Sequence, residues 1–242
     1  MLKQWYSILK RVPETVPVAS EVRKTFTIGI DEAFLSLQSE LTSIVNKLGK
    51  GKVNLKVDGT YDLRLMPTAV TALHGVFIHL IRNSVDHGIE LPEEGKNEVG
   101  TISIKYSLEA SENELLEKDA QNKTVVIEFY DDGTGLNLRS LEDKARAIGY
   151  SAGSQLKLTD ILSVVFKPGF STKQHVTSIS GRGVGLDAVR EKVKASGGDI
   201  EILSNGEESN GFLPIKFRIS LGLQFLMKDL ATADHESMKK TG

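Results

Sequence analysis

The sequence predicts a two-layer α/β sandwich: a mixed, largely antiparallel sheet with helices on one face. Helical and strand-like apolar runs alternate along the chain, and the last two strand-like runs, 200–203 and 215–219, close as a hairpin around a turn at 206–211. A doubly wound parallel sheet would need a crossover there. The composition agrees: 242 residues, 40% apolar and 26% charged, describe one ordinary domain with extensions, or two small ones, and not a disordered chain.

Trp5, Ile8 and Leu9 fit one face of a short helix that Pro13 and Pro17 stop. From Asp31, the residues Phe34, Leu37, Leu41, Ile44, Val45 and Leu48 recur at helical spacing until Gly49 and Gly51. Val53, Leu55 and Val57 alternate with polar residues as a strand closed by Asp58-Gly59. Pro67 suits a first helical turn, and that helix should run to about His87 with Gly88 as its stop. Ile102, Ile104 and Tyr106 alternate as a strand, the polar run 109–123 reads as a hairpin insertion, and 125–130 reads as a buried strand. A helix follows over 138–148. The Gly-, Ser- and Thr-rich stretch 150–183 reads mainly as a long loop. Leu186, Val189 and Val193 mark the last helix, which ends at Gly197-Gly198. The expected organisation is an N-terminal segment 1–30 without an assigned role, one domain over 31–221, and a polar C-terminal tail 222–242.

Several function classes are excluded. Lys and Arg number 30 against 32 Asp and Glu, a net charge of −2, so no bulk positive field draws nucleic acid or anionic lipid. With no cysteine, disulfides, thiolate metal sites, iron–sulfur clusters and cysteine nucleophiles are absent, and a reducing compartment fits. The most apolar stretch, 69–81, carries His74 and His79 and is too short to span a bilayer. No export signal is visible at the N-terminus. The expectation is a cytoplasmic protein that does not insert directly into membrane.

Four sequence elements carry chemistry. At 100° per residue, His79, Asn83, Asp86 and His87 share one helical stripe, opposite Val70, Leu73, Phe77, Leu80 and Ile81. A carboxamide and two imidazoles in line suit a magnesium-phosphate site, since Mg²⁺ takes few protein ligands when phosphates and water supply the rest; a solvated polar face is the plainer alternative. Asp131-Asp132-Gly133-Thr134-Gly135 follows the buried strand. A carboxylate there can accept from an amino group, and glycines after it allow close approach of a flat ring, though Asp-Gly is also an ordinary turn. Gly181, Gly183 and Gly185, with Arg182 and Val184 between them, open a helix and can present successive N–H groups to phosphate, or act as a plain hinge. Phe166-Lys167-Pro168-Gly169-Phe170-Ser171-Thr172 suits an anchored loop or an ordinary apolar clamp.

Taken in chain order, the four elements resemble the N, first-glycine, F and second-glycine boxes of the Bergerat ATP-binding fold shared by gyrase, a heat-shock chaperone class, MutL and histidine kinases. HLIRNSVDHGIE, DDGTGL, FKPGFST and SGRGVGLDAV are similar, almost letter for letter, to the catalytic domain of CheA-like chemotaxis histidine kinases. The resemblance spans about 39–221 and implies ATP and Mg²⁺ as cofactors. It implies that Asn83 binds Mg²⁺ and Asp131 the adenine amino group, with Gly133 and Gly135 giving the base its approach. Gly181, Arg182, Gly183, Val184 and Gly185 would cradle phosphates at the hinge of a lid over about 166–183 that includes Phe170, Ser171 and Thr172. Asp86 would lie near the phosphates, and His79, Arg82 and His87 would be catalytic. Hydrolytic members carry a glutamate where this chain has His79, which favours transfer to a protein acceptor over hydrolysis.

The implied activity is γ-phosphoryl transfer to a histidine on a separate phosphotransfer domain or protein, with a response regulator downstream. Any dimer is expected through regions outside this domain. No histidine here matches an acceptor setting, His235 in the tail included. The chain departs from the family at Gly211-Phe212-Leu213-Pro214, where a Gly-Thr pair usually opens the last strand, and at Ile219-Ser220-Leu221 in place of Leu-Pro-Leu. A nucleotide-binding regulatory pseudokinase and an anti-sigma-type serine kinase are the alternatives on the same fold.

Overall fold

A computed structural model describes residues 21, 24–59, 63–89, 99–110, 123–149, 157–167 and 185–222. The strands are β1 (Ile28–Gly29), β2 (Lys52–Gly59), β3 (Arg64–Leu65), β4 (Val99–Ala110), β5 (Lys123–Asp131), β6 (Leu136–Asn137), β7 (Gly198–Ser204), β8 (Phe212–Leu213) and β9 (Ile215–Gly222). The helices are α1 (Ile30–Leu35), α2 (Gln38–Leu48), α3 (Pro67–Asn83), α4 (Leu138–Ala147), α5 (Leu158–Ser163) and α6 (Leu186–Ala195). A five-stranded sheet runs in the order β2-β4-β5-β9-β7, while β1 pairs with β3 and β6 with β8. Only β2 and β4 run parallel within the large sheet; its other pairings are antiparallel. The expected mixed sheet and closing hairpin are both present, since β7 and β9 are neighbours.

Period-two patterning explains how the layers meet. On β9, Phe217, Ile219 and Leu221 are buried while Lys216, Arg218 and Ser220 alternate with them. The outward residues pair across strands: Lys216 with Glu128 at 2.6 Å, and Arg218 with Glu201 at 3.1 Å and with Glu109. The inward residues meet the helices through a line of rings. Phe34 packs edge-on against Phe77 at 4.7 Å, Phe77 lies 6.0 Å from Phe129, Phe129 6.3 Å from Phe217, and Phe217 6.4 Å from Phe166. Burying each such ring stabilises by about 1.5–3 kcal/mol.

Three departures from the sequence reading have physical causes. The helix expected through 31–48 is two helices, because Ser36 bonds back to the Ala33 carbonyl at 2.7 Å and Leu37 N–H closes on Phe34 at 3.0 Å, tightening and ending α1. Gly49, at φ 65°, ends α2 as expected. The helix expected to reach His87 is α-helical only to Asn83 and continues as a wider π turn, Ser84–Gly88, closed by Ile89 N–H to the Ser84 carbonyl at 2.8 Å. The loop expected over 150–183 contains α5 and a 3₁₀ turn, Val164–Phe166, whose Ile161, Leu162, Val164, Val165 and Phe166 are buried. Their near-continuous apolar run carries no helical period. The ends of the expected insertion are strand: Glu109 and Ala110 end β4 and Lys123 starts β5, with Glu109 opposite Thr124 and Ala110 opposite Lys123, and the rest, 111–122, lies outside the described residues. So do the helix expected around Trp5, Ile8 and Leu9, and the expected tail apart from its first residue, Gly222, which ends β9.

At the other end of the core, Tyr106 donates its hydroxyl to Asp31 Oδ1 at 2.6 Å and ties α1 to β4. Its ring occupies the space where a Cβ at Gly59 would lie, 1.9 Å away, so this strand end requires glycine.

Candidate functional site

Pro67 starts α3, and its apolar stripe of Leu73, Val76, Phe77, Leu80 and Ile81 is buried against the sheet. That packing leaves His79 and Asn83 half-buried one turn apart on the same helix. The π turn then ends the 100° phase, so the helical-wheel placement of Asp86 and His87 does not carry past Asn83. Those two pair with each other at 3.5 Å, His87 Nε2 to Asp86 Oδ2.

The π turn brings Ser84 to Asp131, the last residue of β5. Ser84 Oγ donates to Asp131 Oδ2 at 2.6 Å, and Gly133 N–H donates to Oδ1 at 3.0 Å. Burial pushes the Asp131 carboxyl above its ordinary range; the Ser84 and Gly133 donors pull it back, and neighbouring Asp132 pushes it up. Asp132 turns away, accepting from Thr101 N–H at 2.8 Å.

Two glycines seal the seam between the π turn and this loop. A Cβ at Gly133 would stand 1.9 Å from the Gly88 carbonyl oxygen, which accepts Thr134 N–H at 3.1 Å. A Cβ at Gly88 would stand 2.7 Å from Asp131 Oδ1. Gly135, at φ 82°, lies where a Cβ would meet the Leu213 carbonyl at 2.2 Å, beside the β6–β8 pairing. Lys50 Nζ donates to the Ile89 carbonyl at 3.0 Å and fixes the exit of the π turn.

His79 is held below the ordinary imidazole range, first by burial, then by the charges of Lys192 and Arg82, so it is neutral near pH 7. Lys192 reaches across from α6: its Nζ lies 3.6 Å from where a Cβ at Gly75 would be. Gly185 caps the start of α6, whose first turn carries Asp187. Phe166, expected as the first lid residue, is a core residue at 6% exposure, with the Arg190 guanidinium 5.3 Å over its ring. Phe170, Ser171, Thr172, Gly181, Arg182, Gly183 and Val184 lie outside the described residues.

The structure thus gathers Asp131 and Gly133 against the π turn that continues the Asn83 helix, with His79 and Arg82 along that helix, while Gly135 lies against Leu213 at the β6–β8 pairing. Sequence reasoning missed Ser84, Gly88, Lys50 and Lys192. Ser84 directly follows Asn83, but nothing in residue type or spacing marked it; its burial and its bond to Asp131 appear only in the fold. Among the described residues no three His, Asp or Glu side chains are grouped to hold a metal. A single carboxamide oxygen at Asn83 still fits Mg²⁺ carried mainly by phosphates and water.

The family described as histidine kinase-, DNA gyrase B-, and HSP90-like ATPase matches residues 68–223, from the second residue of α3 to just past β9. The chain belongs to this family. Within the histidine kinase-, gyrase B- and HSP90-like ATPases, it is similar to the chemotaxis protein CheA of Salmonella typhimurium, 35% identical over 187 residues that make up 74% of this chain and 26% of that protein. It is also similar to CheA of Listeria innocua, 35% identical over 192 residues, 76% of this chain and 29% of that one. With CheA of Bacillus subtilis it shares 31% identity over 203 residues, 81% and 28% of the two chains. The chain spans about a quarter of the length of these relatives. Among the described residues no helix is long and apolar enough to cross a membrane.

Proposed function

We propose that this chain is the ATP-binding catalytic module of a chemotaxis-type histidine kinase, transferring the γ-phosphoryl group of ATP to a histidine on a separate phosphotransfer domain or protein. The observation that carries it is the Asp131 carboxylate, half-buried at the end of β5, directly against the π turn that continues the Asn83 helix. A carboxylate held by two donors there accepts a third from an exocyclic amine, which is how an adenine is told from a base with a carbonyl in that place. Asn83 would hold Mg²⁺, which neutralises charge on the phosphates when bound.

In the transfer, the bond between the γ-phosphorus and the bridging oxygen breaks, a phosphorus–nitrogen bond forms to the acceptor imidazole, the imidazole releases its N–H proton, and ADP leaves. The protein's part is positioning and charge stabilisation of a loose transition state. Neutral His79 stands where a water-activating carboxylate would favour hydrolysis, and Arg82 and Lys192 supply positive charge near it. Phe170, Ser171, Thr172 and the Gly181–Gly185 segment are the expected lid and phosphate cradle, with Asp86 expected near the phosphates and His87 as a catalytic residue beside His79 and Arg82. A response regulator would take the phosphoryl group onward, in the cytoplasm, and dimerisation would use other regions of a longer protein.

Radiolabelled γ-ATP, the 242-residue chain and an added histidine phosphotransfer domain test this. Acid-labile label on the added domain supports the kinase. Acid-stable label supports a serine kinase, and bound ATP without label supports a regulatory pseudokinase.

A further inference from the structure

Ser84 is 4% exposed, one of few buried polar residues among those described, and its hydroxyl proton is committed to Asp131 Oδ2 at 2.6 Å. The other carboxylate oxygen takes Gly133 N–H at 3.0 Å. Both neighbours are donors, so Asp131 is held as a carboxylate that only accepts, each oxygen keeping a further lone pair. Gly88 and Gly133 pack so closely that the carboxylate has no room to turn away: a Cβ at either would lie within 3 Å of Oδ1. The π turn is what aims Ser84 here, and Lys50 fixes that turn from outside through the Ile89 carbonyl.

We propose that Ser84 is a specificity-determining residue for the purine: by occupying Oδ2 as a donor it keeps Asp131 an acceptor, so that the site takes a 6-amino purine and rejects a 6-oxo purine. The inference rests on the assignment of this site to ATP. A 6-amino group brings an N–H to the carboxylate; a 6-oxo group brings a second acceptor and leaves two oxygens facing each other. Without the serine donor, Oδ2 is a half-buried acceptor with that bond vacated and can take up a proton. Asp131 then becomes a donor as well, and the penalty against the 6-oxo base falls. Ser84 acts through Asp131 and is a positioning residue in that sense.

The test compares Mg-ATP and Mg-ITP binding to the 242-residue chain by titration calorimetry at pH 7. Wild type is expected to prefer ATP. Ser84→Ala is expected to weaken ATP about tenfold, in line with loss of a hydrogen bond to a charged group, while ITP changes little, so the preference narrows by about the same factor. Ser84→Thr, which keeps the hydroxyl, is expected to restore it. If Ser84→Ala does not fold, Ser84→Cys, a weak donor of nearly the same shape, is expected to narrow the preference in the same direction. Equal weakening of both nucleotides would mark Ser84 as merely structural and overturn the inference, as would an unchanged ratio. A wild type that binds both nucleotides equally overturns the inference alone; a folded wild type that binds neither overturns the ATP assignment beneath it.

Discussion

At Asp131 burial and ionisation pull against each other. Its folded-state pKa is raised, mainly by burial, so its ionisation opposes folding: the stability linked to its neutral form is present below the ordinary carboxylate pKa and is lost as pH rises through the raised folded value. Asp131→Asn removes that titration. The melting temperature of the variant relative to wild type should therefore increase as pH goes from acid to neutral, measured by thermal melts across that range, and a constant difference would contradict the account. His79 runs the other way. Burial is its largest influence, but Lys192 and Arg82 also press it toward the neutral form. Lys192→Gln should raise the His79 titration midpoint, read from its imidazole proton resonances; a midpoint that stays put would remove Lys192 from the site's electrostatics. Asn83 and Asp131 stand out in the sequence as candidates because their types suit the proposed chemistry. Ser84 and Lys192 were not, since a serine and a surface lysine gain meaning only from what folding sets beside them.

Two glycines of α3 and its neighbouring loop separate what an element needs from what it tolerates. Gly75 lies within α3, and a Cβ there would make an ordinary 3.6 Å contact with Lys192 Nζ. Gly75→Ala should stabilise by about 0.5–1 kcal/mol, because alanine loses less backbone entropy in a helix. Gly133→Ala should destabilise by about 1–3 kcal/mol, because its Cβ would meet the Gly88 carbonyl at 1.9 Å and the loop must shift. Denaturant titrations of the pair check both signs. The end of α3 was the element least legible in the sequence. Apolar periodicity gave its start and its buried face, but the switch to a π turn after Asn83 leaves no mark in residue type. The Ser36 break between α1 and α2 was hidden for the same reason: Leu37 is 1% exposed and keeps the apolar pattern going while the backbone turns. The α5 helix was hidden by composition, its short apolar run set within a stretch dominated by glycine, serine and threonine.

At the scale of the whole molecule, one sheet brings distant motifs together. β5 delivers Asp131, α3 crosses the same face and delivers Asn83, and the ring line from Phe34 through Phe77, Phe129 and Phe217 to Phe166 locks the layers in register. The architecture was readable in advance because strand alternation and the closing hairpin survive burial unchanged. The candidate residues Asn83, Asp131 and Gly133 could be named from the sequence, but the contacts of Asp131 and Gly133 could not, since these depend on the depth at which β5 ends against the π turn. The central claim is that the Asn83 helix and the Asp131 strand end form one ATP site. Calorimetry with Mg-ATP on the folded 242-residue chain and on its Asn83→Ala and Asp131→Asn variants tests it most directly. The account predicts saturable one-site binding in wild type, loss of Mg-dependent binding in Asn83→Ala, and affinity weakened about tenfold or more in Asp131→Asn, with both variants folded. No heat from folded wild type, or equal affinity in all three proteins, would contradict it.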